Sequence, residues 1–62
     1  MKITTNKQRI TVDLGLLGEY QIDCKNPDAA KSLSVTVNSD MHKNRTLKGK
    51  IEYLTKHGFK KA

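Results

Sequence analysis

The strongest constraint on the fold of this chain is a pair of alternating runs set around two glycines. From Arg9 to Leu14 the apolar Ile10, Val12 and Leu14 alternate with Thr11 and Asp13, and from Glu19 to Cys24 the set Tyr20, Ile22 and Cys24 alternates with Gln21 and Asp23. A period of two gathers each apolar set on one face of a strand. Between the runs stands Gly15-Leu16-Leu17-Gly18, whose two glycines enter positive φ without a steric penalty. The pattern predicts an antiparallel hairpin with Ile10, Val12, Leu14, Tyr20, Ile22 and Cys24 turned towards a core.

The residues after the hairpin suggest three further elements. Asn26-Pro27-Asp28-Ala29-Ala30 combines an N-cap residue, a proline suited to the first helical position, an acid near the positive end of the dipole and two good helix formers. Either a single helical turn or a plain proline turn fits there. Leu33, Val35 and Val37 then alternate with Ser34, Thr36 and Asn38, and the β-branched content predicts a third strand. From Asn44 the period changes: Leu47, Ile51 and Leu54 fall at i, i+4 and i+7, the narrow stripe of a helix. Gly58 is placed as a left-handed C-terminal cap and Phe59 as the apolar residue that packs back on the last turn, so this helix is expected from about Arg45 to His57. The expected fold is α+β: a small three-stranded antiparallel sheet with one C-terminal helix on its apolar face, in the order strand, strand, short turn, strand, helix, within a single small domain spanning residues 1–62.

With 62 residues, 35% of them apolar, and two Tyr and one Phe as its aromatics, the chain has a core of little margin. Multi-domain enzymes, repeat arrays and barrels are excluded, and self-association would help stability. The single cysteine forms no internal disulfide, which points to a reducing compartment, the cytoplasm. The longest apolar runs are the pairs Leu16-Leu17 and Ala29-Ala30, so neither a signal peptide nor a membrane span is expected.

Charge is the feature that bears on function. Twelve Lys and Arg against six Asp and Glu give a formal +6. Residues 1–40 carry five cations and five acids, whereas residues 41–62 carry Lys43, Arg45, Lys48, Lys50, Lys56, Lys60 and Lys61 against Glu52 alone. The excess is therefore local to the last helix and its flanks. Lys56, Lys60 and Lys61, with His57, sit at the helix C-terminus, where the dipole favours cations, and Glu52 precedes Lys56 by one helical turn. Lys43, Arg45, Lys48 and Lys50 instead surround the helix N-terminus, where folding alone would prefer acids. Cations around unpaired N–H groups suit phosphate or another anion. The other broad surface, the outer sheet face expected to carry Thr11, Asp13, Gln21, Asp23, Ser34 and Thr36, has neither the stacking aromatics nor the basic surplus of a sheet that binds nucleic acid.

No residue set forms a recognisable catalytic or metal constellation. Cys24 shares the core parity, where a thiol serves as a small hydrophobe. His42 and His57 lie fifteen residues apart with no second cysteine or carboxylate at ligand spacing, so neither a zinc site nor a hydrolytic triad is supported and no cofactor is implied. His42, beside Lys43 and Arg45, is the one side chain that a minimal ribonuclease would use as a general base; as a loop residue in a basic stretch it is more simply a surface histidine. Leu16 and Leu17 at the hairpin tip either fold over the small core or anchor a protein partner. The third strand, with outward Ser, Thr and Asn and few protective charges, invites pairing between two copies if it lies at an edge.

The order of elements resembles the small DNA-binding domains at the start of some phage integrases and the later part of double-stranded-RNA-binding domains, a resemblance of fold without a shared motif. The expected function is a small, basic, non-enzymatic nucleic-acid-binding protein, a regulator or accessory factor of bacterial or phage type that holds phosphates at the N-terminus of its last helix. The alternative is a protein-binding inhibitor or adaptor acting through the Leu16-Leu17 tip or a sheet edge.

Overall fold

The computed structural model describes every residue from Met1 to Ala62. Its elements are β1 (Lys2–Asn6), β2 (Arg9–Asp13), a single 3-10 turn (Gly15–Leu17), β3 (Glu19–Asp23), α1 (Pro27–Lys43), α2 (Leu47–Lys56) and β4 (Lys60–Lys61). The sheet has the order β1-β2-β3-β4 with every neighbouring pair antiparallel. The expected class, α+β with an antiparallel sheet, holds, but the sheet has four strands rather than three and there are two helices rather than one.

The predicted hairpin forms β2 and β3, with Ile10 opposite Ile22 and Val12 opposite Tyr20. Gly15 and Gly18 both take positive φ, +72° and +88°. The tip is closed by Leu14 N–H to the Gly18 carbonyl and Gly18 N–H to the Gly15 carbonyl, each 2.9 Å, while Asp13 Oδ1 accepts from Gly15 N–H at 2.8 Å.

The expected third strand over Leu33–Val37 is instead the middle of α1. Asn26 caps the helix by accepting from Ala29 N–H at 2.7 Å, and Pro27 opens it. The turn anticipated there simply continues for 17 residues. Ala30, Val37 and Met41 are buried, with Leu33 packed beside them, a helical stripe at i, i+3, i+7 and i+11. Leu33 and Val37 satisfy a period of two and a helical i, i+4 pair alike. Val35 decides between them, because a strand would bury it with its neighbours and it is 71% exposed. β-branched residues cost a helix only a few tenths of a kcal/mol each, less than the burial of one Val or Met returns. The hydroxyls of Ser34 and Thr36, expected on a sheet face, bond back to the carbonyls of Lys31 (2.8 Å) and Ser32 (3.3 Å) within α1, the usual way such residues are satisfied inside a helix.

Two strands carry too little period to be read from sequence. β1 turns only Ile3 among its apolar residues towards the helices and reaches β2 through the two-residue loop Lys7-Gln8, with Asn6 opposite Arg9. Lys7 takes φ +56° there, a position usually given to glycine. β4 has two residues, paired with Tyr20 and Gln21 and extended by Ala62 N–H to the Glu19 carbonyl at 2.8 Å.

Both helices lie on one face of the sheet around a core of Ile10, Val12, Leu14, Ala30, Val37, Met41, Leu54 and Phe59. The end of α2 matches the sequence reading. Gly58 has φ +91°, its N–H reaches the Thr55 carbonyl at 3.1 Å, and Phe59 N–H reaches the Leu54 carbonyl at 2.9 Å. That pair of bonds defines a Schellman cap, with Phe59 and Leu54 as its apolar contact.

Candidate nucleic-acid interface

The basic segment is built around the corner between α1 and α2. Asn44 ends α1, its N–H shared between the carbonyls of Asp40 and Met41, and Thr46 begins α2 by accepting from Gly49 N–H at 3.0 Å. A Thr immediately before the periodic run is a readable N-cap signal, and it places the first helical residue at Leu47, two residues beyond the expected Arg45. A Cβ at Gly49 would overlap the Asn44 carboxamide and stand 2.9 Å from Thr46 Oγ1, so any larger residue there displaces the side chains that close the corner. Farther along, Tyr53 on α2 donates its hydroxyl to Asp40 on α1 at 2.6 Å, which ties the two helices together across the corner. Burial, with that hydrogen bond and the Asp40 charge behind it, pushes the Tyr53 phenol up to about 12.

The four cations read as surrounding one helix N-terminus have different settings. Lys43 is the last residue of α1, so its charge meets the favourable end of the α1 dipole. Lys50 is half-buried and donates to the Asn44 carbonyl, closing the corner from within the chain. Arg45 and Lys48 are exposed and form no hydrogen bond or ion pair with another side chain. The N-terminus of α2 is partly satisfied by its own Thr46 cap, so cationic side chains rather than free N–H groups dominate what an anion would meet.

Lys56 closes α2, and Lys60 and Lys61 form β4; all three are exposed. The ten residues of α2 separate them from the corner by about 15 Å, so the seven cations divide into two groups rather than one patch. The only ion pair in the molecule is Arg9 with Asp23, 2.8 Å apart and both exposed, and their hydrogen bond holds the Asp23 carboxyl below its ordinary range. None of the seven cations has a carboxylate partner.

His42 is exposed, and its Nδ1 lies 2.7 Å from the Asn38 carbonyl, which places the proton of the neutral ring on Nδ1 and turns Nε2 outward. His57 Nδ1 likewise meets the Tyr53 carbonyl at 2.9 Å, with its ring stacked on Tyr53 at 4.1 Å. Cys24 is a free, half-buried thiol against the core, and no group of His, Cys, Asp or Glu is arranged to hold a metal ion. Leu17 packs on the core while Leu16 is fully exposed, so only one of the two tip leucines folds back over the core. No helix is long and apolar enough to cross a membrane. Comparison with protein-family models, with curated proteins and with solved structures finds no match for this chain.

Proposed function

We propose that this chain is a small, non-enzymatic nucleic-acid-binding protein that meets the phosphate backbone at the corner between α1 and α2. The observation that carries the reading is the unpaired state of the basic segment: seven cations against one acid over residues 41–62, in a molecule whose single ion pair lies elsewhere. Arg45 and Lys48 are the principal contacts, Lys43 adds to them, and Lys56, Lys60 and Lys61 extend the field along the backbone. Lys50 supports the corner through Asn44 and presents little to a ligand. Contacts of this kind give affinity and salt dependence without reading sequence. The polar outer sheet face, where Lys2 and Arg9 are interspersed with Asp13, Glu19 and Asp23 and where only the edge residue Lys60 belongs to the basic segment, favours the helical corner over the sheet as the principal contact surface.

The test is fluorescence anisotropy with labelled duplex DNA and single-stranded RNA. Arg45→Ala combined with Lys48→Ala should weaken binding at least tenfold, on the scale of about 1 kcal/mol per phosphate contact removed; unchanged affinity refutes the reading. The exposure of Leu16 supports a second reading, a protein-binding inhibitor or adaptor that docks its hairpin tip. A nuclease-resistant partner released by Leu16→Ser but retained by the Arg45 and Lys48 double variant would favour it.

A further inference from the structure

β1 is a free edge of the sheet, and its geometry specifies a partner. Asn6 and Arg9 flank a two-residue loop, which makes them a hydrogen-bonded pair, and by alternation Thr4 with Thr11 and Lys2 with Asp13 are the other bonded pairs. The N–H and C=O groups of Ile3 and Thr5 therefore point away from β2, and no other group of the chain bonds them. Such an edge is normally blunted by charge, proline or a covering loop; β1 has a single Lys in five residues. Above it runs a groove of about 290 Å³ lined by Ile3, Thr5, Ser34, Val35 and Asn38, whose α1 wall carries the exposed Val35.

We propose that β1 pairs antiparallel with β1 of a second copy about a twofold axis at Thr4, making one continuous eight-stranded sheet. In that register Ile3 faces Thr5 of the second copy and Thr5 faces its Ile3, so all four outward groups on each edge are bonded. Sliding by two residues in either direction leaves half of them unpaired. The same register sets Lys2 opposite Asn6 and Thr4 opposite Thr4, so no like charges meet and the axis carries a favourable Thr pair. On the helical side, the Val35 residues of the two α1 helices close over the two Ile3–Thr5 pairs of the seam. The side of the molecule formed by β1 and α1 is about as long as α1, roughly 25 Å, and two layers thick, which gives about 1,000 Å² buried in all, the lower limit of a specific interface. An interface of this size belongs with weak, transient association, so the equilibrium is sought at high micromolar to millimolar concentration. The proposal is independent of nucleic-acid binding.

Sedimentation equilibrium of the full chain across about 10 µM to 1 mM tests it. A reversible monomer–dimer equilibrium is expected. Thr4→Lys sets two like charges face to face at the axis, and Thr5→Pro removes an outward N–H that β2 does not use, which an edge strand tolerates. Each should raise the dissociation constant at least tenfold while the circular dichroism of the monomer is retained. A chain that stays monomeric at the highest concentration overturns the proposal. So does a dimer that survives both substitutions, or one that dissociates on Leu16→Ser instead.

Discussion

Replacing Gly58 by Ala isolates the turn that carries the end of α2 into β4. The position has φ +91°, and a Cβ built there would stand 3.5 Å from Ile22 Cδ1, ordinary van der Waals contact. No clash arises, so the effect comes from the backbone alone. An L-residue held left-handed costs about 1–2 kcal/mol, and the lower entropy of the unfolded alanine chain offsets roughly 0.4–1 kcal/mol of that. The net loss is about 1 kcal/mol, which lowers the Tm of a chain this small by about 4–8 °C. Thermal unfolding followed by circular dichroism measures it. Gly58→Asn, better tolerated at positive φ, should fall between Ala and the parent. An unchanged or raised Tm for Gly58→Ala would show that the two hydrogen bonds of the cap do not hold this residue left-handed, and the placement of Lys60 and Lys61 beside β3 would lose its physical basis.

Lys7→Gly should act in the opposite direction, since Lys7 bears φ +56° with no glycine at the β1–β2 turn; denaturant unfolding should show a gain of about 0.5–1 kcal/mol. The Tyr53 phenol, pushed from 10.0 to about 12, supports the fold in its neutral form. Its contribution is fully present below pH 10 and is lost as pH rises through about 12, so Tyr53→Phe should flatten the alkaline limb of the stability profile between those values. A limb that stays as steep in the Phe variant would assign it to another group. His42→Ala should leave nucleic-acid affinity within twofold of the parent, and neither protein should cleave RNA on a sequencing gel; cleavage lost with His42 would reveal an enzyme.

How much of this fold is legible in the sequence depends on how many side chains each element commits to the core. β2 and β3 alternate over enough residues to be read directly. The cap at Gly58-Phe59 is readable because one residue must take positive φ and the next must be apolar. The segment from Leu33 to Val37 misleads because Leu33 and Val37 fit both periods, and only the exposure of Val35 separates them. β1 and β4 are invisible to pattern because each is held by pairing with a neighbour. The basic corner is legible in composition but not in arrangement. Once α1 extends to Lys43, that cation lies at a helix C-terminus where folding welcomes it, and Lys50 turns inward to Asn44. What remains for a ligand is narrower than the charge run implies, and it is concentrated in Arg45 and Lys48.

The most direct test of the central claim is the salt dependence of nucleic-acid binding by the parent and by the triple variant Lys43→Ala, Arg45→Ala, Lys48→Ala. Contact by Lys43, Arg45 and Lys48 at the corner, extended by Lys56, Lys60 and Lys61, predicts a log–log slope on duplex DNA between about −2.7 and about −5.4 for the parent, reduced in magnitude by about 2.7 in the triple variant. A slope near zero, or the same slope for both proteins, would contradict the assignment of phosphate contact to the corner between α1 and α2.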